Sequence, residues 1–177
     1  MVEYRLKQLK LYYVDMKYIR DLHNVDDRVI SVSPQIRKAN RVFIGMVVFN
    51  KDVYYCIPLS HPKKKHETMR DNAEIQKIYD GNKIIGVLNY NLMIPVMKNQ
   101  ISPVDLKIHR NDSYETKAWK NLCIKELKWC RKNEKIIRDK AKNILFLYSN
   151  EEGFKGRKRC LDFDKLEQKC RKYNGLL

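Results

Sequence analysis

Acidic side chains are scarce in this sequence. Only 21 Asp and Glu stand against 37 Lys and Arg in 177 residues, a formal charge of +16. A surplus of that size repels itself in a compact chain, so it usually persists because a polyanion neutralises it. Nucleic acid is the first such partner, and an anionic membrane surface is the second. The carboxylates that exist form no close DxD or ExxH pattern, which argues against a magnesium-dependent nuclease. No P-loop and no GxGxxG is present.

Cysteine is sparse and irregular. The five residues, Cys56, Cys123, Cys130, Cys160 and Cys170, are odd in number and lack a CxxC pair. That excludes a zinc-binding motif and a disulfide framework, and leaves reduced, mostly buried thiols in a cytoplasmic protein. No run approaches the roughly eighteen apolar residues a membrane span needs. The first ten residues are too charged for a signal peptide. No internal repeat, low-complexity tract or linker is visible, so residues 1–177 are expected to form one domain, and a 44% hydrophobic content can supply its core.

Several elements can be read from what is there. Residues 9–14 are aromatic and β-branched and predict a strand. Asp15 can cap a short helix reaching Leu22, with Tyr18, Ile19 and Leu22 on one face. Residues 23–41 are polar and broken by Ser31, Ser33 and Pro34, so a long loop is expected there. The run Val42-Phe43-Ile44-Gly45-Met46-Val47-Val48-Phe49 predicts a strand buried on both faces. Residues 50–52 turn it, Val53-Tyr54-Tyr55-Cys56-Ile57 returns, and Pro58 is expected to end the ladder. Gly45 suggests a bulge or a close backbone approach. Residues 84–88 and 92–96 read as two more short strands. Asp112 followed by Glu115 offers a capping-box-like start for one helix over 113–140, with an apolar stripe of Trp119, Leu122, Cys123, Leu127 and Cys130. Residues 144–148 read as a short element and 155–159 as a basic loop. A last helix starts near Asp162 and turns Leu166 and Cys170 inward. Short strands with separate helices predict an α+β fold.

Ser60-His61-Pro62-Lys63-Lys64-Lys65-His66 places a hydroxyl, two imidazoles and three ammonium groups in seven residues, directly after a strand that can hold them. Metal-free RNA cleavage needs a base for the 2′-hydroxyl, an acid for the leaving 5′-oxygen and cations for the phosphoryl oxygens. Imidazole and ammonium supply these. The bland alternative is a solvated basic turn in which Lys64 and Lys65 only repel each other. A second basic stretch, Arg37-Lys38-Ala39-Asn40-Arg41, enters the same hairpin from the opposite strand. Pairing should bring Arg41 close to Pro58 and Ser60, which turns two weak signals into one anion site. His23 and His109 stand alone and read as surface or capping residues. Tyr12, Tyr13, Tyr54 and Tyr55 alternate on strands, half core and half rim.

These residues resemble the ToxN/AbiQ toxins of type III toxin–antitoxin systems. Tyr13-Val14-Asp15-Met16-Lys17-Tyr18-Ile19 with Asp26-Asp27-Arg28-Val29 is similar to the family's opening. Phe43-Ile44-Gly45 with Ile57-Pro58-Leu59-Ser60-His61-Pro62-Lys63 resembles its most characteristic block. Gly86-Val87-Leu88-Asn89, Met93-Ile94-Pro95, Val104-Asp105-Leu106, Asn133-Glu134-Lys135-Ile136 and Cys160-Leu161-Asp162-Phe163 follow in order. The resemblance implies a strongly twisted antiparallel sheet with packed helices, similar to the Kid/MazF toxins. It also implies a sequence-preferring endoribonuclease that needs no metal or cofactor and leaves 2′,3′-cyclic phosphate ends. The toxin would be inhibited by a small pseudoknotted RNA antitoxin, which it processes from tandem repeats into a closed protein–RNA assembly. Its role would be abortive infection against phage, and the resemblance leaves open whether the free toxin is a monomer or a dimer. By position, Ser60 or His61 would handle the 2′-hydroxyl, Lys63 and Arg41 would hold the phosphate, and His66 would be a reserve acid. Arg37, Lys38, Lys64, Lys65, His66, Lys155, Arg157, Lys158 and Arg159 would contact RNA. The sequence departs from the family where Arg41 replaces the usual lysine and His61 stands where serine is expected. Two rivals remain. One is a non-catalytic RNA-binding module. The other is a DNA-binding repressor, for which no helix-turn-helix signature is visible.

Overall fold

The β-branched and aromatic segments pair as seven strands in the computed structural model, which describes residues 7–30 and 41–176. Strand β1 (Lys10–Val14) leads into helix α1 (Met16–His23). Asp15 caps that helix as expected, its Oδ1 accepting from the Tyr18 N–H at 2.8 Å. Tyr18, Ile19 and Leu22 are buried beneath it.

Strands β2 (Val42–Asn50) and β3 (Val53–Ser60) form the hairpin. Lys51 and Asp52 both adopt positive φ, the condition for the tight two-residue turn whose twist suits flanking strands. Both readings of Gly45 hold. The register shifts between Ile44 and Val48, with Met46 at φ 53°, and a Cβ on Gly45 would collide with the Tyr12 ring. The bulge bends β2 and increases its local twist.

Strands β4 (Ile75–Asp80), β5 (Lys83–Asn89), β6 (Ile94–Val96) and β7 (Ile101–Pro103) complete an antiparallel sheet in the order β4-β5-β3-β2-β1-β7. The outer edge of β3 pairs β6 through Tyr54–Cys56 and then β5 through Leu59 and Ser60. Pro58 therefore does not end the strand. It falls between the two ladders on that edge, where a missing N–H costs little, and Ser60 remains pinned opposite Val87.

The helical expectations need three corrections. The long helix is two, α3 (Tyr114–Lys132) and α4 (Glu134–Asn150). Asn133 separates them by donating its own side-chain amide back to the Trp129 carbonyl at 2.9 Å, competing with helix continuation. Second, the cap is Ser113, which accepts from the Thr116 N–H. Asp112 is taken by Lys120 and the His109 N–H. Third, residues 144–148 belong to α4, and Lys155–Arg159 is a 3-10 turn instead of an irregular loop. A short helix follows β3, α2 (Lys65–Thr68), and the chain closes with α5 (Phe163–Tyr173), capped by Asp162.

One cluster of apolar side chains joins the sheet to α1, α3, α4 and α5. Tyr18, Tyr55 and Tyr90 are fully buried, and each phenol finds an acceptor, at Pro95 O, Glu167 Oε1 and Gln76 Oε1. All five cysteines are free and buried. Burial pushes Cys56 and Cys123 up to about 12 and Cys160 to about 11. No described helix is long and apolar enough to cross a membrane.

Candidate active site and nucleic-acid interface

The end of β3 and the start of β2 lie side by side, so Arg41 and Ser60 meet as the hairpin reading predicts. Arg41 Nη1 donates to the Leu59 carbonyl at 3.3 Å and lies 3.4 Å from Ser60 Oγ. The guanidinium is half-buried, which lowers its pKa, and Nε has no partner among the described residues. With five N–H groups and few of them spent, Arg41 keeps donors for an incoming anion. The next strand supplies another donor, since Asn89 Nδ2 reaches Ser60 Oγ at 2.9 Å.

Beyond Ser60 the chain leaves the sheet. His61, Lys63, Lys64 and Lys65 are exposed around the turn that starts α2. His66 holds this turn from inside. Its N–H donates to the Lys63 carbonyl, and its Nδ1 accepts from the Lys63 N–H at 2.7 Å. The ring is 4% exposed, and desolvation followed by Lys65, Lys63 and Lys77 lowers its pKa. The expected acid or RNA contact of His66 is thereby constrained: the ring is buried and its Nδ1 is occupied by the Lys63 backbone N–H. Arg37 and Lys38 lie outside the described residues.

A second basic segment is the 155–159 turn. Lys155, Arg157 and Lys158 are exposed, with the Arg157 guanidinium 5.4 Å from the Tyr148 ring centre. Arg159 is tied to Glu74, Nη2 to Oε1 at 2.5 Å and Nε to Oε2 at 2.9 Å. Its backbone carbonyl accepts from Asn91, and that of Lys158 accepts from Arg28. Arg28 is in turn fixed by Asp26, whose carboxylate also takes the Asp162 N–H. Tyr90, one residue past Asn89, donates its N–H to the Glu74 carbonyl at 2.8 Å. Hydrogen bonds and chain neighbours thus connect the end of β3 to the 155–159 turn through Asn89, Tyr90 and Glu74. Sequence reasoning missed Asn89 as a contact of Ser60 and Glu74 as the anchor of Arg159. The first is visible in the sequence only inside a family block, and the second precedes a strand whose pattern is too polar to stand out.

The isolated histidines are occupied locally. His23 Nδ1 contacts the Val29 carbonyl at 2.8 Å, and His109 Nε2 contacts Asp105 at 2.8 Å. Among the described residues no group of three or more His, Cys, Asp and Glu could hold a metal ion.

Residues 10–171 match the family described as toxin ToxN of type III toxin–antitoxin systems. The chain is 27% identical over 171 residues to the endoribonuclease ToxN of Pectobacterium atrosepticum, covering 93% of this chain and 94% of that protein. Among solved structures it is similar to a protein of a bacterial antiviral system regulated by a processed non-coding RNA, at 26% identity and TM-score 0.77 over 92% of this chain and 97% of the other. It shares its fold with AbiQ, a lactococcal anti-phage endoribonuclease of the type III class, at 21% identity and TM-score 0.81 over 96% of this chain and 99% of that one.

Proposed function

This chain belongs to the ToxN toxin family of type III toxin–antitoxin systems, and we propose that it is an endoribonuclease acting at the Ser60 corner. The observation that carries this reading is the meeting of Arg41 and Ser60 across the hairpin, beside the exposed His61 and Lys63. In the reaction the 2′-oxygen loses its proton to a base and attacks the adjacent phosphorus, the bond to the 5′-oxygen breaks as that oxygen takes a proton from solvent water, and a 2′,3′-cyclic phosphate and a 5′-hydroxyl result. His61, exposed and next to Ser60 in the chain, would take the 2′-hydroxyl proton. Arg41 and Lys63 stabilise charge on the phosphoryl oxygens, Arg41 as a fork and Lys63 as a point charge. No metal is required by this scheme, because imidazole, guanidinium and ammonium groups meet the developing charge.

The partner is a small RNA antitoxin. Lys64, Lys65, Lys155, Arg157, Lys158 and Arg159, with Arg37 and Lys38, would grip its phosphates. The relative regulated by a processed non-coding RNA supports this partner, and the +16 charge supports the kind of ligand. The family match across residues 10–171 supports treating residues 1–177 as one toxin domain, and the relative from a bacterial antiviral system supports a role in phage infection; the proposed place of action is the cytoplasm.

The test is incubation of the purified protein with labelled cellular RNA in EDTA, with Lys63→Ala alongside. Discrete fragments ending in cyclic phosphate, from wild type only, are expected. RNA that stays intact while it is retained on a filter would replace the nuclease with a basic RNA-binding domain.

A further inference from the structure

A serine hydroxyl has two acceptor positions and one proton to give. At Ser60 both acceptor positions face donors, Asn89 Nδ2 at 2.9 Å and Arg41 Nη1 at 3.4 Å. A guanidinium nitrogen can only donate, and so can an amide nitrogen. No group among the described residues accepts the Ser60 proton. Asn89 reaches Ser60 because the sheet puts it there. Ser60 pairs with Val87, and Asn89, the last residue of β5, lies two positions further along the same face.

We propose that Asn89 is a positioning residue that, together with Arg41, fills the acceptor sites of the Ser60 hydroxyl and commits its proton to a phosphoryl oxygen of the RNA. Ser60 is then a donor beside Arg41 and Lys63 and does not take the 2′-hydroxyl proton, since it has no lone pair left to receive it. That duty falls to His61. The inference rests on the reading of the Ser60 corner as the cleavage site.

The experiment compares Ser60→Ala, Asn89→Asp, the double variant Ser60→Ala/Asn89→Asp and Lys63→Ala, each checked for folding by thermal melting. Cleavage of a short labelled RNA gives kcat and KM across pH. Asn89→Asp keeps shape but replaces the donor with an acceptor that captures the Ser60 proton. It should lower kcat by about 10- to 10²-fold with little change in KM. The double variant should be no slower than Ser60→Ala, because Asn89 acts only through Ser60. Ser60→Ala should lower the pH profile of kcat/KM without moving or removing its ascending limb.

Full activity of Asn89→Asp while Ser60→Ala and Lys63→Ala are impaired would overturn the inference and leave the site intact. An amide of opposite orientation would produce that result, since a carboxylate would replace it without loss. A further loss in the double variant would show Asn89 acting independently of Ser60 and would also overturn it. Disappearance of the ascending limb in Ser60→Ala would make Ser60 the base. Undiminished cleavage by both Ser60→Ala and Lys63→Ala would remove the site itself, and the inference with it. If Asn89→Asp does not fold, Asn89→Ala and Ser60→Ala/Asn89→Ala replace it, with the same expected loss and the same overturning results.

Discussion

Arg41 and Ser60, nineteen residues apart in sequence, face each other at 3.4 Å across the open end of the β2–β3 hairpin. The contact is made by strand register, Phe43 opposite Pro58 and Ile44 opposite Ile57, so a rigid ladder sets it instead of loop flexibility. Arg41→Ala should therefore reduce kcat by roughly 10²- to 10³-fold, as loss of a donor to a developing oxyanion does. Arg41→Lys should recover part of that, because the charge survives and the fork does not. Single-turnover cleavage measures the loss, and filter binding should show RNA affinity changing far less. Equal losses in both would move Arg41 from chemistry to binding.

His66 makes stability pH-dependent in a defined direction. Its folded pKa lies below the ordinary value of 6.5, so the unfolded chain binds the proton more readily. The contribution is complete above about 6.5 and is lost as pH falls through the folded pKa. Urea titrations at pH 7.5 and pH 5 should show the drop. His66→Asn keeps an acceptor for the Lys63 N–H but does not titrate, and should flatten that part of the curve.

Glu126 acts in the opposite sense. It lies on the buried face of α3 against Gly86, makes no hydrogen bond or ion pair with any described residue, and is pushed up to about 7 by burial. Its folded pKa is raised, so its own contribution is most favourable below about 4.5 and declines as pH rises to about 7. Glu126→Gln should stabilise the protein at pH 8 by roughly 1–3 kcal/mol and leave it nearly unchanged at pH 4. A melting temperature at pH 8 that does not rise would contradict this assignment.

The five thiols should be inert in the native protein. They are buried and unpaired, and for each the burial that raises its pKa reduces thiolate. A disulfide-exchange reagent should titrate none within minutes and all five in denaturant. Fast labelling of Cys160, beside the basic turn, would reveal opening of the 155–162 segment.

The triple variant Lys155→Ala/Arg157→Ala/Lys158→Ala tests the second basic segment. If these side chains hold antitoxin phosphates, affinity falls. The slope of log K against log salt should shrink by about 0.7–0.9 for each phosphate no longer neutralised. An unchanged slope would assign these three side chains to local structure alone.

Legibility follows the range of the interaction that decides each feature. Strand β1, the α1 cap at Asp15, the hairpin and the last helix depend on neighbours a few residues away, and all are readable in the sequence. The division of α3 from α4 is not, because Asn133 breaks the helix through its own side chain in a stretch without Gly or Pro. Strand β4 escapes a sequence reading because Ile75-Gln76-Lys77-Ile78-Tyr79-Asp80 is too polar to stand out. Burial against α3 and pairing with β5 make it a strand. The block from Ser60 to His66 is visible as a cluster of reactive groups, but not the division of labour inside it. His66 turns inward while His61 and Lys63 stay exposed, which only the turn before α2 determines.

By itself, the order of residues determined the basic character of the chain, the hairpin that carries Arg41 and Ser60, and the absence of any regular cysteine or carboxylate motif. Each follows from composition or from contacts along the chain. Tertiary structure alone decided which donors meet at Ser60 Oγ, because Asn89 arrives on a third strand. It also decided that Glu74 pairs with Arg159, 85 residues away in sequence. Such pairings depend on sheet order, and sheet order is set by how the whole apolar surface is buried at once, which no local pattern encodes.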